Sequence, residues 1–340
     1  MFDFSNSIDL PLIWAGIIAT AIFLYVLLDG FDLGIGILFP FAPSDKCRNR
    51  MMNSIAPFWD GNETWLVLGG GGMFAAFPLA YAILMPAFYM PLIIMLLGLI
   101  LRGVAFEFRF KASGSAIRLW DYVFHVGSLS AAFCQGVILG TFVQGVKVDG
   151  RHFSGGAFDW ATGFSMLTGI ALVFGYALLG STWLVMKTDN HTQAWARKVA
   201  SYVLAFVGLF MAIVSICMPF MNKNIQVFWF SMPNIFWLLP IPLLTLGLFI
   251  LIWKDLHLKK AEYRPFLGSI GIFLLGYIGL SLSLFPWMIP FNYTLWEAAA
   301  AGPGLSLMLV GVVPLLPIIL CYTAYSYYIF RGKSSHEHMY

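Results

Sequence analysis

Long apolar segments limit what this chain can fold into more than any other feature of its sequence. Crossing about 30 Å of hydrocarbon takes roughly 20 residues of helix. We identify nine such segments, at about 10–38, 55–77, 79–104, 118–146, 160–187, 198–220, 231–253, 265–290 and 303–330. Only 10% of the residues are charged, against about 25% in soluble domains. Because the segments are long and do not alternate, we predict an all-α integral membrane protein with nine transmembrane helices.

The loop charges predict an orientation. With the N-terminus outside, the loops on the inner side and the C-terminal tail hold all but three of the 19 lysines and arginines. The three on the outer side are Lys147, Arg151 and Lys223. The positive-inside rule therefore predicts N-out, C-in.

Helix count and loop lengths suggest how the single membrane domain, residues 1–340, is divided. We expect two four-helix bundles, about 1–150 and 151–295. About 296–340 would form one extra helix and a cytoplasmic tail.

Acidic residues inside or at the ends of the apolar segments are concentrated in the first half of the chain. They are Asp29, Asp32, Asp60, Glu63, Glu107 and Asp121. A carboxylate is costly in hydrocarbon, so each one is a functional hypothesis. Asp29 and Asp32 are three residues apart and share a helix face. Gly30, Gly34 and Gly36 would allow close backbone approach there. The alternative is a structural pair hydrogen-bonded to a neighbouring helix.

Asp60 and Glu63 repeat this spacing early in the second predicted helix. We expect Ser54 to cap that helix, with Pro57 in its first turn. A helix N-terminus favours carboxylates, and this placement alone also explains them, Glu63 more than Asp60.

Two further groups stand at the predicted inner ends of spans three and four. Arg102 and Glu107 are five apart, so each should reach a neighbouring helix or an anionic cofactor group rather than the other. Anchoring at the membrane surface is the alternative for Arg102. Asp121 and His125 are four apart and could pass protons, or His125 could simply be a satisfied buried histidine. In an antiparallel bundle all these ends are neighbours, which predicts a proton route entering from one side.

Histidine placement limits the redox chemistry of the chain itself. Of six histidines, only His125 falls within a predicted span. A haem–copper centre needs several intramembrane histidines and a bis-histidine haem needs two. We therefore predict no metal site for this chain. Because it also lacks a P-loop, a nucleophile–histidine site and nucleic-acid-binding features, we predict no directly catalytic residue and no nucleic-acid partner. A proton-coupled transporter and a structural partner with inert acids remain open.

Several motifs carry a resemblance to a known family. They are Asp29–Gly34, Asn53–Pro57 running into Trp59–Glu63, Phe74–Pro78, Arg102–Arg109, Trp120–Asp121, Leu295–Ala298 and Pro317–Tyr325. With them the chain resembles subunit II of the cytochrome bd ubiquinol oxidase family, including its cyanide-insensitive branch. Some members carry an aspartate in place of Glu107 and a glutamine in place of Glu63, which leaves the role of Glu63 open.

The resemblance implies a complex in the bacterial cytoplasmic (inner) membrane that oxidises quinol and reduces dioxygen to water. Subunit I would supply most ligands of haem b and haem d, or of b-type haem alone. Small single-helix accessory subunits, membrane lipids and a structural quinone are further expected partners. Asp29, Asp60 and Glu107 would serve a proton route or haem-site assembly, with Arg102 in the wider haem environment.

Overall fold

The computed structural model describes residues 9–221, 223–258 and 261–334, and most of them are helical. The first half contains α1 (Leu10–Leu38), α2 (Asp45–Asn53), α3 (Trp59–Ala76), α4 (Pro78–Ala87), α5 (Tyr89–Lys111) and α6 (Ser115–Gln144). A hairpin of β1 (Val148–Asp149) and β2 (His152–Phe153) follows. Then come α7 (Gly163–Lys187), α8 (Asn190–Met221), α9 (Lys223–Phe230), α10 (Asn234–Leu238), α11 (Pro240–Leu258) and α12 (Arg264–Leu284). A second hairpin of β3 (Trp287–Ile289) and β4 (Tyr293–Thr294) leads into α13 (Leu295–Ala298) and α14 (Gly302–Ile329).

Eight helical segments of the described residues are long and apolar enough to cross a membrane, so the chain is a multi-pass membrane protein. They are α1, α5, α6, α7, α8, α10 with α11, α12 and α14. The prediction of an all-α membrane fold is confirmed. The predicted second span corresponds to α3, which has 18 residues but begins with the polar sequence Trp59–Thr64. The predicted divisions 1–150 and 296–340 include residues 1–8 and 335–340, which lie outside the described part of the chain.

The predicted bounds of two spans are wrong, and a proline accounts for each error. Segment 79–104 is two helices, α4 and α5, with the break at Phe88. Pro91 cannot donate to the carbonyl of Ala87, and its ring crowds that group. Segment 265–290 leaves the helix at Leu284, shortly before Pro286, and continues as the β3–β4 hairpin. A residue before proline is pushed towards extended backbone.

The start of α3 also differs from expectation. Ser54 ends α2 as its C-cap, and its hydroxyl donates to the carbonyl of Met51 (2.7 Å). The N-cap of α3 is Phe58. The side chain of Ser54 is thus used at the end of one helix, and α3 begins without a side-chain cap.

Contacts between loops define the two ends of the helical layer. At the first, the hairpin end, Ala300 N donates to the Ala76 carbonyl and the Tyr293 hydroxyl donates to the Gly150 carbonyl. At the second, the basic end, Arg50 pairs with Asp189. Lys333 and Lys187 also lie at the basic end, where they bind neighbouring loops and helix ends.

Two glycine crossings set the helix arrangement around the first half. A Cβ on Gly34 would lie 1.8 Å from the Tyr176 carbonyl oxygen, so α1 and α7 touch backbone to backbone. A Cβ on Gly127 would lie 2.6 Å from the Gly98 carbonyl oxygen, which brings α6 equally close to α5. Such small-residue contacts are typical of membrane helix packing. By contrast, the only residue of α14 that is buried within the described structure is Leu305.

Candidate functional site

A buried polar cluster occupies the half of α1 nearest the basic end. Asp29 and Asp32 are both completely inaccessible to solvent. Every residue from Asp29 to Phe39 is buried, because α1 is surrounded there by its neighbours. Buried carboxylates need partners, since an isolated buried charge is very costly.

Arg102 joins two of the three acids in this cluster. Its side chain, only 2% exposed, donates from Nη1 to Asp29 Oδ1 (2.5 Å) and from Nη2 to Glu63 Oε1. Its Cζ lies 5.9 Å from the centre of the Trp59 ring. The prediction that Arg102 reaches neighbouring helices rather than Glu107 agrees with this geometry.

Asp32 has a different partner, the amide of Asn62. Asn62 Nδ2 donates to Asp32 Oδ2 (2.7 Å) and to the Leu28 carbonyl (3.2 Å). The Tyr327 hydroxyl, from α14, donates to Asn62 Oδ1 (3.0 Å), which fixes the orientation of the amide. The Tyr327 ring stacks on Phe58, with the ring centres 4.3 Å apart.

The charges of this cluster do not balance when every acid is ionised. Asp29, Asp32 and Glu63 would carry three negative charges, and among the described residues Arg102 is the one basic side chain paired with them. Asp29 Oδ2, Asp32 Oδ1 and Arg102 Nε have no hydrogen-bond partner among the described residues. A site with more carboxyl groups than cations is suited to holding and exchanging protons, because a proton neutralises the excess charge.

Asp60 and Glu107 lie apart from the buried cluster. Both are exposed on the surface of this chain, on α3 and α5, and neither has a hydrogen bond or ion pair within the described residues. Glu63, whose side chain is 30% exposed, stands between exposed Asp60 and fully buried Asp29. Exposure therefore falls step by step from Asp60 to Asp29.

Asp121 and His125 do not form the predicted pair along α6. Asp121 Oδ1 accepts from Arg109 Nε (2.5 Å), and the His125 Nδ1–H donates to the Gly36 carbonyl (3.1 Å). A guanidinium is a stronger partner for a carboxylate than a neutral imidazole. Arg109 also donates to Asn49 Oδ1 (2.8 Å), so this second cluster ties α5 and α6 to α2 at the basic end.

A second set of polar side chains, which the sequence analysis missed, adjoins Asp29. The phenol of Tyr25 lies beside the Asp29 carboxylate. Gln135 Nε2 donates to the Tyr25 oxygen (2.7 Å), and the Tyr176 hydroxyl donates to Gln135 Oε1 (2.6 Å). One available signal was the spacing of Tyr25, four residues before Asp29 and hence on the same helix face. Gln135, a lone amide within an apolar run, was another.

These three side chains also reach the wall of a large cavity. Its volume is about 2340 Å³, and its lining is overwhelmingly apolar, from α1, α6, α7, α8, α11 and α12. A large, mainly apolar space with a few polar groups suits an amphiphilic ligand.

The donor set for a metal or haem is sparse. No group of three or more His, Cys, Asp or Glu side chains in the described ranges could hold a metal ion. His125 donates its Nδ1–H to the Gly36 carbonyl, and it is the one histidine of the described residues within the apolar part of a predicted span. These residues do not fit a bis-histidine haem site.

Comparisons with known proteins agree on one family. The profile of the family described as cytochrome bd terminal oxidase subunit II matches residues 10–330. The chain is 29% identical over 335 residues to cytochrome bd ubiquinol oxidase subunit 2 of Bacillus subtilis, covering 96% of this chain and 97% of that protein. It is 28% identical over 371 residues to cytochrome bd-I ubiquinol oxidase subunit 2 of Escherichia coli K12, covering 96% of each. Its fold is similar to a chain in the structure of bd oxidase from Geobacillus thermodenitrificans, with a TM-score of 0.70 at 15% identity over 95% of this chain and 99% of that one.

Proposed function

Because this chain belongs to the cytochrome bd terminal oxidase subunit II family, we propose that it serves a quinol:dioxygen oxidoreductase as its second subunit, supporting subunit I and carrying protons towards it. The buried Asp29–Arg102–Glu63 arrangement is the observation that carries this proposal. The residues of the route hold and pass protons, and the reduction of dioxygen to water belongs to the complex.

The route begins at the surface of α3 and leads inwards. Exposed Asp60 takes up a proton and passes it to Glu63, which shares Arg102 with Asp29. Asp32 forms a side branch of the cluster, held by Asn62. Proton transfer between such groups requires contact within hydrogen-bond reach or through one water.

The remaining predicted members lie nearer the basic end. Glu107, Asp121 and His125 belong to the last turns of α5 and the first turns of α6. We propose that they attract protons at the basic end and deliver them to Asp60, where the inward route begins, and that Arg109 holds Asp121 in place.

The proposed membrane topology rests on the loop charges of the sequence. We propose that α3 is the ninth crossing and that the basic end faces the cytoplasm of a bacterial inner membrane, giving N-out, C-in. The two four-helix units are then α1, α3, α5 and α6, and α7, α8, α11 and α12. Packing of α5 on α6 and of α11 on α12 lies within these units, and α7 packs on α1 and α6 across their boundary, with α14 as the extra helix.

Haem and quinone enter the proposal as groups of the complex. We propose that haem b with haem d, or b-type haem alone, is ligated mainly by subunit I, and that quinol is its substrate. The haem would supply the electron transfer and dioxygen chemistry. Arg102 acts on that site only indirectly, because its two Nη groups are occupied by Asp29 and Glu63. A structural quinone would fit the apolar cavity beside Gln135.

The proposal is tested by replacing Asp29 with asparagine in the complex with subunit I. We expect quinol oxidase turnover to fall severalfold while the visible haem spectrum stays near normal, because proton supply is impaired and ligation is not. The matched control is Asp9→Asn, since Asp9 lies at the hairpin end near Trp296. Unchanged turnover in Asp29→Asn would refute the route. The alternative function is a proton-coupled transporter. It would instead show Asp29-dependent uptake of a substrate into vesicles that contain this chain without subunit I.

A further inference from the structure

The chain of side chains beyond Asp29 is not explained by the proposed route. Tyr25 and Tyr176 are 3% and 0% exposed, yet each carries a hydroxyl into an apolar interior. Gln135 lies between them and is half-buried. Buried polar groups are retained at a cost unless their hydrogen bonds are satisfied.

The hydrogen bonds of Gln135 connect the two tyrosines. Its oxygen accepts from the Tyr176 hydroxyl, so its nitrogen is the end that faces Tyr25. Both tyrosine hydroxyls can donate or accept, so this orientation depends on Asp29: a reversed amide would take the Tyr25 proton, and an ionised carboxylate can only accept. Tyr176 is itself held, because its ring stacks on Phe273 with the ring centres 6.2 Å apart.

This orientation determines what the Tyr25 hydroxyl can do. Its oxygen already accepts from Gln135, so its own proton is left to donate elsewhere. The neighbouring acceptor is Asp29, four residues along the same helix face, whose Oδ2 has no hydrogen-bond partner among the described residues. Oδ1 of the same carboxylate is taken by Arg102.

We propose that Gln135 and Tyr176 are positioning residues that direct the Tyr25 hydroxyl proton to Asp29, so that Tyr25 and Arg102 together stabilise the ionised Asp29 carboxylate. This inference rests on the proposed function of Asp29 as a proton carrier. A hydrogen bond donated to a carboxylate stabilises its charged form. Gln135 acts through Tyr25, and no proton passes through the amide.

The test is an infrared titration of the Asp29 carboxyl group in the purified complex. Its protonated C=O band is identified as the band that disappears in Asp29→Asn. In Tyr25→Phe, protonation of this group should move to higher pH by about one unit, since a hydrogen bond to a charged group contributes about 1.5 kcal/mol or more. Gln135→Leu should give a shift in the same direction. The matched control is Gln144→Leu. Gln144 lies on α6, as Gln135 does, and its amide accepts from Thr162, so its loss should give no shift.

The double variant separates positioning from general disturbance. If Gln135 acts through Tyr25, adding Gln135→Leu to Tyr25→Phe changes nothing further, and the two effects are not additive. Additive shifts, or no shift in Tyr25→Phe, would overturn the proposal. If Gln135→Leu fails to assemble, Tyr176→Phe, which keeps the stacked ring, should still give a partial shift.

Turnover distinguishes this proposal from the route on which it rests. The acidic limb of the turnover–pH profile should move with the infrared titration. If Asp29→Asn turns over normally, the route is wrong, and the infrared shifts still decide whether Gln135 and Tyr176 position Tyr25. If Asp29→Asn is slow but Tyr25→Phe titrates like the unaltered protein, the route stands and the positioning proposal fails.

Discussion

Replacing Arg102 with glutamine should destabilise the protein more than replacing its partner Asp29 with asparagine. Arg102 and Asp29 are 2% and 0% exposed, so neither can turn to water when the other is lost. Breaking a buried ion pair from one side costs about 3–5 kcal/mol, because a buried charge is left without compensation. Asp29→Asn leaves Arg102 paired with Glu63 and should cost about 1–3 kcal/mol.

Thermal unfolding of the purified complex measures this difference. At about 2 °C per kcal/mol for a chain of this size, the midpoint should fall by about 6–10 °C in Arg102→Gln and about 2–6 °C in Asp29→Asn. The double variant has neither charge of the pair, so its loss should be smaller than the sum of the two single losses.

A surface pair provides the control for this comparison. Lys147 binds Asp159 with both side chains substantially exposed, so Lys147→Gln should leave the unfolding midpoint almost unchanged. Strict additivity of Arg102→Gln and Asp29→Asn would refute the reasoning, and so would a midpoint for Arg102→Gln equal to that of Lys147→Gln.

Three further predictions concern other parts of the chain. Asp60→Asn should slow turnover with little change in unfolding temperature, because the side chain is exposed; full activity would remove Asp60 from the route. Gly34→Ala should lower stability by about 1–3 kcal/mol by forcing two backbones apart, whereas Gly16→Ala, with open space around it, should not. Hydrogen bonding from Lys333 lowers the pKa of Glu262, so this contact stabilises the tail above the ordinary pKa of 4.5 and is lost as pH falls through the lowered pKa. Proteolysis at the tail should therefore rise at acidic pH, and equal rise in Glu262→Gln would contradict this.

Spacing along a helix predicted which acids share a face, and the rotation of each helix decided which of them are buried. The face of α3 that packs on α1 contains Asn62, Trp65, Gly69 and Gly72. Cβ atoms on the two glycines would lie 3.1 Å from isoleucines of α1, whereas the glycines between them face open space. That rotation leaves Asp60 exposed, although its place in the sequence resembles that of the buried acids.

Competition between helices accounts for what spacing alone could not predict. Asp121 and His125 have the right separation for a pair, but the charged side chain of Arg109, on α5, donates to the Asp121 carboxylate instead. Which side chain contacts such a carboxylate depends on tertiary packing. Tyr25, Gln135 and Tyr176 come from three helices, so their contact follows only from the way α1, α6 and α7 pack.

The Tyr327 hydrogen bond to Asn62 also has a consequence for how the protein is made. Asn62 leaves the ribosome long before Tyr327, which is separated from it by 265 residues. During synthesis the amide that holds Asp32 therefore lacks one of its partners until α14 has been inserted into the membrane. The acid cluster is complete only after α14 has been translated, so a chain cut short before α14 would insert its first helices yet leave their polar centre unfinished.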